Sequence, residues 1–126
     1  MRRALAVAVG FALLPVISGA QEANPYNGKW MARWTSPSGA SVVARVEVRD
    51  AGGTWRLVGS NRGDNCSELD FPLVVKRATN SELVFSVSAS QVLRGCSNYA
   101  GRASRISDKR LEGKFMDGTI ITLERQ

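Results

Sequence analysis

Histidine is absent from this 126-residue chain. Its absence removes the commonest general base, the commonest zinc ligand and the one side chain that ordinarily titrates near neutral pH. Cysteine is nearly absent as well, with Cys66 and Cys96 the only two. No stretch shows the apolar spacing of an amphipathic helix, and no internal repeat or low-complexity tract interrupts the chain. Aromatic residues are only 7% of the total and do not interleave with the basic ones. A stacking platform for nucleic acid needs that interleaving, so nucleic acid is not an expected partner. After Ile17 no long apolar run returns, which leaves no transmembrane helix to predict.

What is present begins with a leader pattern. Arg2 and Arg3 precede an almost unbroken apolar run from Ala4 to Ile17, and Ser18-Gly19-Ala20 places small residues at a cleavage site. This is the layout of a secretory signal peptide over residues 1–20, with a buried N-terminal helix as the alternative. The run is short for a membrane span of about 20 residues. A periplasmic or secreted location follows, and no cysteine stands directly after the run to take a lipid anchor. Cutting there leaves residues 21–126, enough for one domain. Residues 21–27 are polar, contain Pro25, and read as a loose arm before a single domain over 28–126. The precursor's net charge of +6 loses Arg2 and Arg3 with the leader. The remaining basic excess aids solubility and draws acidic partners weakly, without bearing on fold.

An even cysteine count in an exported small domain predicts a Cys66–Cys96 disulfide. Closing a loop of about 30 residues stabilises a fold by roughly 3–4 kcal/mol.

Period-two alternation dominates the rest. Val42, Ala44, Val46 and Val48 face one way while Arg45, Glu47 and Arg49 face the other. Trp55 and Leu57 share a face, as do Phe71, Leu73 and Val75, and Leu83, Phe85 and Val87. Turn-forming residues at Ala51-Gly52-Gly53, 61–65, 79–81, 107–109 and Asp117-Gly118 separate the runs. Strands are predicted at 28–36, 40–50, 54–60, 71–78, 82–88, 90–96, 101–107 and 110–125, the last a hairpin turning at Asp117-Gly118. Short connections favour antiparallel neighbours. An all-β chain of about eight strands hides its edges best by closing into a small antiparallel up-and-down β-barrel, with a two-sheet sandwich as runner-up.

Gly28-Lys29-Trp30 opens the first strand and Arg125 nearly ends the last. Arg125 has the inward parity of Ile121 and Leu123, so it needs a partner inside, and an aromatic ring is a good one. If the first and last strands meet, Arg125 covers Trp30. On these residues the chain resembles the calycins, the superfamily of lipocalins, avidins and bacterial metalloprotease inhibitors. The resemblance implies a closed barrel in which Gly28, Trp30 and Arg125 form the structural closure. The small periplasmic metalloprotease inhibitors look closest, and Thr54-Trp55-Arg56-Leu57 before Cys66 and Asp117-Gly118-Thr119 are similar to theirs. Those inhibitors pair a cysteine from an early strand, whereas the first two strands here carry none.

The carboxylates from Glu47 to Glu124 lie in turns or on charged faces, away from apolar burial that would raise a pKa. Asn61-Arg62-Gly63-Asp64-Asn65 lacks the spaced carboxylates and closing Glu of a calcium loop. No metal, cofactor or catalytic residue is expected. Trp34 and Trp55 have inward parity and read as core, in an interior rich enough in Val and Leu to be packed. The favoured expectation is therefore a non-catalytic exported binding module. Its partner would be an exported or envelope protein, as for an inhibitor of an exported hydrolase or an immunity-type protein. The alternative is a small-ligand or polyanion binder of the envelope. The disulfide would tie two loops together and lower their ordering cost on binding. The candidate binding residues are Arg62, Asp64, Asn65, Arg94, Asn98, Tyr99 and Arg102.

Overall fold

The computed structural model describes residues 23–59 and 65–126. Residues 1–20, with the leader pattern, and the candidate residues Arg62 and Asp64 lie outside the described residues. Eight strands follow one another: β1 Gly28–Thr35, β2 Ser41–Arg49, β3 Gly52–Leu57, β4 Phe71–Ala78, β5 Glu82–Val87, β6 Tyr99–Ser107, β7 Arg110–Phe115 and β8 Ile120–Arg125. Each pairs antiparallel with the next, and β8 returns to β1, so the sheet is a closed up-and-down barrel. Closure rules out the two-sheet sandwich.

The alternation read from sequence becomes the barrel's inside and outside. Trp30, Ala32 and Trp34 of β1 are buried, as are Ala44, Val46 and Val48 of β2 and Ile121 and Leu123 of β8. Bulky and small side chains alternate across neighbouring strands. Gly101 is the cross-strand partner of both Phe85 and Phe115. A Cβ there would stand 3.1 Å from the Phe85 ring and 2.9 Å from the Lys114 carbonyl oxygen, so the missing side chain lets the two rings flank the strand. At Gly113 a Cβ would meet the Arg102 carbonyl oxygen at 2.0 Å.

Two sequence expectations change in detail. Residues 90–96 are not a strand. Ala89–Gln91 form one 3-10 turn and the chain then loops to Tyr99, because no alternation holds there: Val92 and Leu93 are exposed while Ala89 and Cys96 are buried. The segment 110–125 supplies two strands, β7 and β8, so the count stays at eight. The β2–β3 turn falls on Asp50-Ala51 rather than on the glycines, both of which belong to β3. Asp50 has a left-handed φ of 56°. Asn27 holds it there, its Oδ1 accepting from the Asp50 N–H at 2.7 Å and its Nδ2 donating to Asp50 Oδ1 at 3.0 Å.

The loose arm expected over 21–27 is, over its described part from Asn24, a docked plug. Tyr26 is 1% exposed and its hydroxyl donates to the Thr79 carbonyl oxygen. Trp30 Nε1 donates to the Tyr26 carbonyl oxygen at 2.8 Å. Arg125 lies 4.3 Å from the Trp30 ring centroid, as its parity requires. It also donates to the carbonyl oxygens of Asn27, Pro25 and Asp108 at 2.7, 3.0 and 2.9 Å. One residue thus joins the arm, β1, β8 and the β6–β7 turn. This is the arm end of the barrel. The opposite, disulfide end carries the connections 36–40, 58–70, 88–98 and 116–119.

Candidate functional site

Cys66 and Cys96 form the expected disulfide, their Cα atoms 5.7 Å apart, and it ties the β3–β4 connection to the β5–β6 connection. Each connection is also fixed from within. In the first, the Glu68 carboxylate accepts from the Gly59 N–H at 3.1 Å and from Arg56 Nε at 3.3 Å, while Arg56 Nη1 reaches Asp70 at 3.0 Å. Glu68 takes a left-handed φ of 63°, and its own N–H donates to the Leu57 carbonyl oxygen at 2.8 Å. In the second, Asn98 Oδ1 accepts from the Ser90 N–H at 2.9 Å, and the Ser88 N–H donates to the Pro72 carbonyl oxygen. The Met116 N–H donates to the Ala100 carbonyl oxygen, seating the β7–β8 turn beside them.

Beneath these connections the barrel is filled with rings. Trp34 lies 5.0 Å from Phe115, 5.7 Å from Trp55 and 5.7 Å from Tyr99, centroid to centroid. Tyr99 lies 5.4 Å from Phe115, and Trp55 stacks on Phe85 at 5.6 Å. These are contact distances for aromatic pairs, so the cluster is a packed floor. One polar atom in it, Trp55 Nε1, is buried with no hydrogen-bond partner. Above the floor stand exposed apolar side chains: Val92 and Leu93 in the second connection, and Met116 and Ile120 flanking the last turn.

Of the candidate residues, four gather at this end. Asn65 is exposed beside Cys66, and Arg94 is exposed with no ion pair among the described residues. Asn98 is exposed but uses its side-chain oxygen to brace the loop. Tyr99 is half-buried in the ring cluster, where it acts as floor. Arg102 does not join them. It lies three residues along β6 with opposite parity and stands on the outer wall between Val84 and Lys114. Sequence reading passed over Val92, Leu93, Met116 and Ile120. The available signal was the loss of alternation between Ala89 and Cys96, which strands an apolar pair outside the barrel.

Among the described residues no carboxylate is buried and most are engaged: Glu47, Glu68, Asp70, Glu82, Asp108, Glu112 and Glu124 each pair with an arginine. Among the described residues, no group of three or more candidate ligands is placed to hold a metal ion. None of their helices is long and apolar enough to cross a membrane.

Charge on the connections at both ends gives a pH prediction. The Gly59 N–H, then Arg56, hold the Glu68 carboxyl below its ordinary value of 4.5. The Thr119 N–H lowers Asp117, and the bond from Arg105 lowers Asp108. A depressed folded-state value means stability that is present above the unfolded value and lost as pH falls through the folded one. The urea midpoint is therefore expected to fall as pH drops below about 4.5, and to fall less in a Glu68→Gln variant. Identical acid profiles for the two proteins would refute the role of this clasp.

No protein-family model matches the chain, and no curated protein matches it. Among solved structures it is similar to a redesigned β-barrel, 16% identical, with a TM-score of 0.52 over 81% of this chain and 92% of that one. That likeness shows the fold class: a small closed antiparallel β-barrel.

Proposed function

We propose that the protein is an exported, non-catalytic binding module that docks on another exported protein through its disulfide end. The observation that carries this reading is the exposed apolar rim of Val92, Leu93 and Met116, set on connections braced by Cys66–Cys96, Asn98 and the Glu68 clasp. Apolar side chains left in water on braced loops lower the ordering cost of association. The leader pattern of residues 1–20 and the disulfide support export. The Trp30–Arg125 closure supports kinship with the calycins, and among them with small exported inhibitors, so the partner proposed is an exported hydrolase or toxin. The unpartnered Trp55 Nε1 favours a second reading, a small ligand carrying a hydrogen-bond acceptor that enters by displacing rings of the floor.

The two readings separate on one experiment. Wild-type protein and a Val92→Glu, Leu93→Glu double variant are immobilised and challenged with envelope extract, beside native mass spectrometry of the purified protein. The expected result is a hydrolase or toxin retained by the wild type and reduced at least about tenfold by the variant, in keeping with loss of a buried apolar anchor. Its activity should fall in proportion to added barrel. A tightly retained small molecule with no protein partner would overturn the docking reading, as would retention indifferent to the two substitutions.

A further inference from the structure

The barrel is incompletely zipped at its arm end. β3 pairs with β4 only over Gly52–Trp55 against Phe71–Val74, and the Val75 N–H bond to the Ala51 carbonyl oxygen is the last link between them. Beyond Val75, Arg77 and Ala78 have strand partners only in β5, and Lys76 is the residue bulged out between the two registers. Among the described residues no backbone hydrogen bond joins Lys76, Arg77 or Ala78 to the β2–β3 turn or to the arm. The arm is fastened to that turn, through Asn24 and Asn27 onto Asp50, and reaches the β4 side only past the strand's end, where the Tyr26 hydroxyl donates to the Thr79 carbonyl oxygen. Between them runs a groove of about 930 Å³, walled by Asn24, Pro25, Asp50 and Ala51 on one side and by Val75 to Asn80 on the other.

We propose that this groove takes an extended acidic peptide segment, which adds to the free edge of β4 as a short strand. Main-chain donors and acceptors on one open edge are what strand addition uses, and three residues span about 10 Å of it. Lys76 is exposed and has no ion pair among the described residues, whereas Arg77 is already paired with Glu82 and Asp50 is bonded to Asn27. The groove therefore offers a cation to a carboxylate on the incoming segment. A second copy of the barrel is the poorer occupant. The groove is walled by the arm, a β-bulge lies between Val75 and Arg77, and two copies would bring two Lys76 cations onto one short seam. Bulges and lysines are the devices that keep an edge from indiscriminate pairing, and they leave it selective for a slender, oppositely charged strand.

The site lies at the end opposite the apolar rim, so its test is independent of the docking reading. The isotope-labelled protein is titrated with an acetylated, amidated hexapeptide of sequence Thr-Glu-Val-Glu-Thr-Val, and amide shifts and hydrogen exchange are followed. Saturable shifts confined to the groove walls, Asn24, Asp50, Ala51 and Val75 to Asn80, are expected, with slowed exchange of at least one amide between Lys76 and Ala78. A Lys76→Glu variant should bind this peptide about threefold to tenfold more weakly, and should gain affinity for the same peptide with lysine in place of glutamate. Lys76 is solvent-exposed, so the substitution leaves the fold intact, which unchanged shifts elsewhere would verify. No saturation at millimolar peptide would overturn the proposal. Equal binding of a peptide N-methylated along its backbone would also overturn it, since charge alone would then suffice. Concentration-dependent dimerisation that protects the same amides would assign the edge to a second copy.

Discussion

Removing the Cys66–Cys96 disulfide is expected to destabilise the protein by about 3–4 kcal/mol. The two cysteines are separated by 30 positions, and the closed loop contains all of β4 and β5. In the chain-entropy description, the cost is carried by the unfolded state, which regains the freedom the cross-link had removed. The folded state also changes, because neither cysteine lies in a strand and the bridge joins two connections. A Cys66→Ala, Cys96→Ala variant should therefore keep the barrel's strand spectrum while its urea midpoint drops. Its partner affinity should drop as well, through looser presentation of Val92 and Leu93. A midpoint equal to that of the oxidised wild type would refute the stability claim. Cys66 is half-buried and Cys96 buried beside the ring cluster, so a double alanine variant is preferable to reduction alone, which leaves two thiols in the same space.

The second large effect belongs to Arg125. Its guanidinium donates to three main-chain carbonyl oxygens, two on the arm and one on the β6–β7 turn, and covers the Trp30 ring. Hydrogen bonds from a charged donor contribute more than neutral ones, and a cation over a tryptophan face adds about 0.5–2 kcal/mol. Arg125 is partly exposed, and solvent screening discounts each contribution. An Arg125→Ala substitution is expected to cost about 3 kcal/mol, and Arg125→Lys about half of that, since a lysine keeps the charge and loses the fork. The informative readout is local. Amide exchange at Tyr26 and Asn27 should accelerate beyond the global loss, because this side chain holds two of the arm's main-chain carbonyl oxygens. Preserved arm protection with a loss below about 1 kcal/mol would show that Tyr26 on Thr79, with Asn24 and Asn27 on Asp50, holds the arm without Arg125.

The contrast between these two residues and the rest shows how far local pattern reaches. Parity alone placed Arg125 on the inner face, and closure then had to bring it to Trp30, because both are cross-strand partners at the seam of β1 and β8. Parity likewise put Trp34 and Trp55 inside, where they pack at 5.7 Å. It also placed Arg102 outside, although its nearness in sequence to Tyr99 had drawn it into the candidate site. Where alternation lapses, sequence reading lost its guide. Residues 90–96, expected as a strand, instead follow a tight turn at Ala89–Gln91 with an exposed apolar pair, Val92 and Leu93.

The sequence by itself determined the inner and outer faces of the strands, the pairing of the two cysteines and the means of closure. Each of these follows from a two-residue period or from an even pair of reactive groups, both local or compositional properties. Tertiary structure alone decided that the arm is a plug, because its anchors are distant in sequence, at Asp50, Thr79 and Arg125. It decided also that β3 releases β4 after Val75, since that depends on where the Asp50-Ala51 turn ends one hairpin relative to the length of the next. Strand length mismatch is a property of two elements together, and no single stretch of chain encodes it.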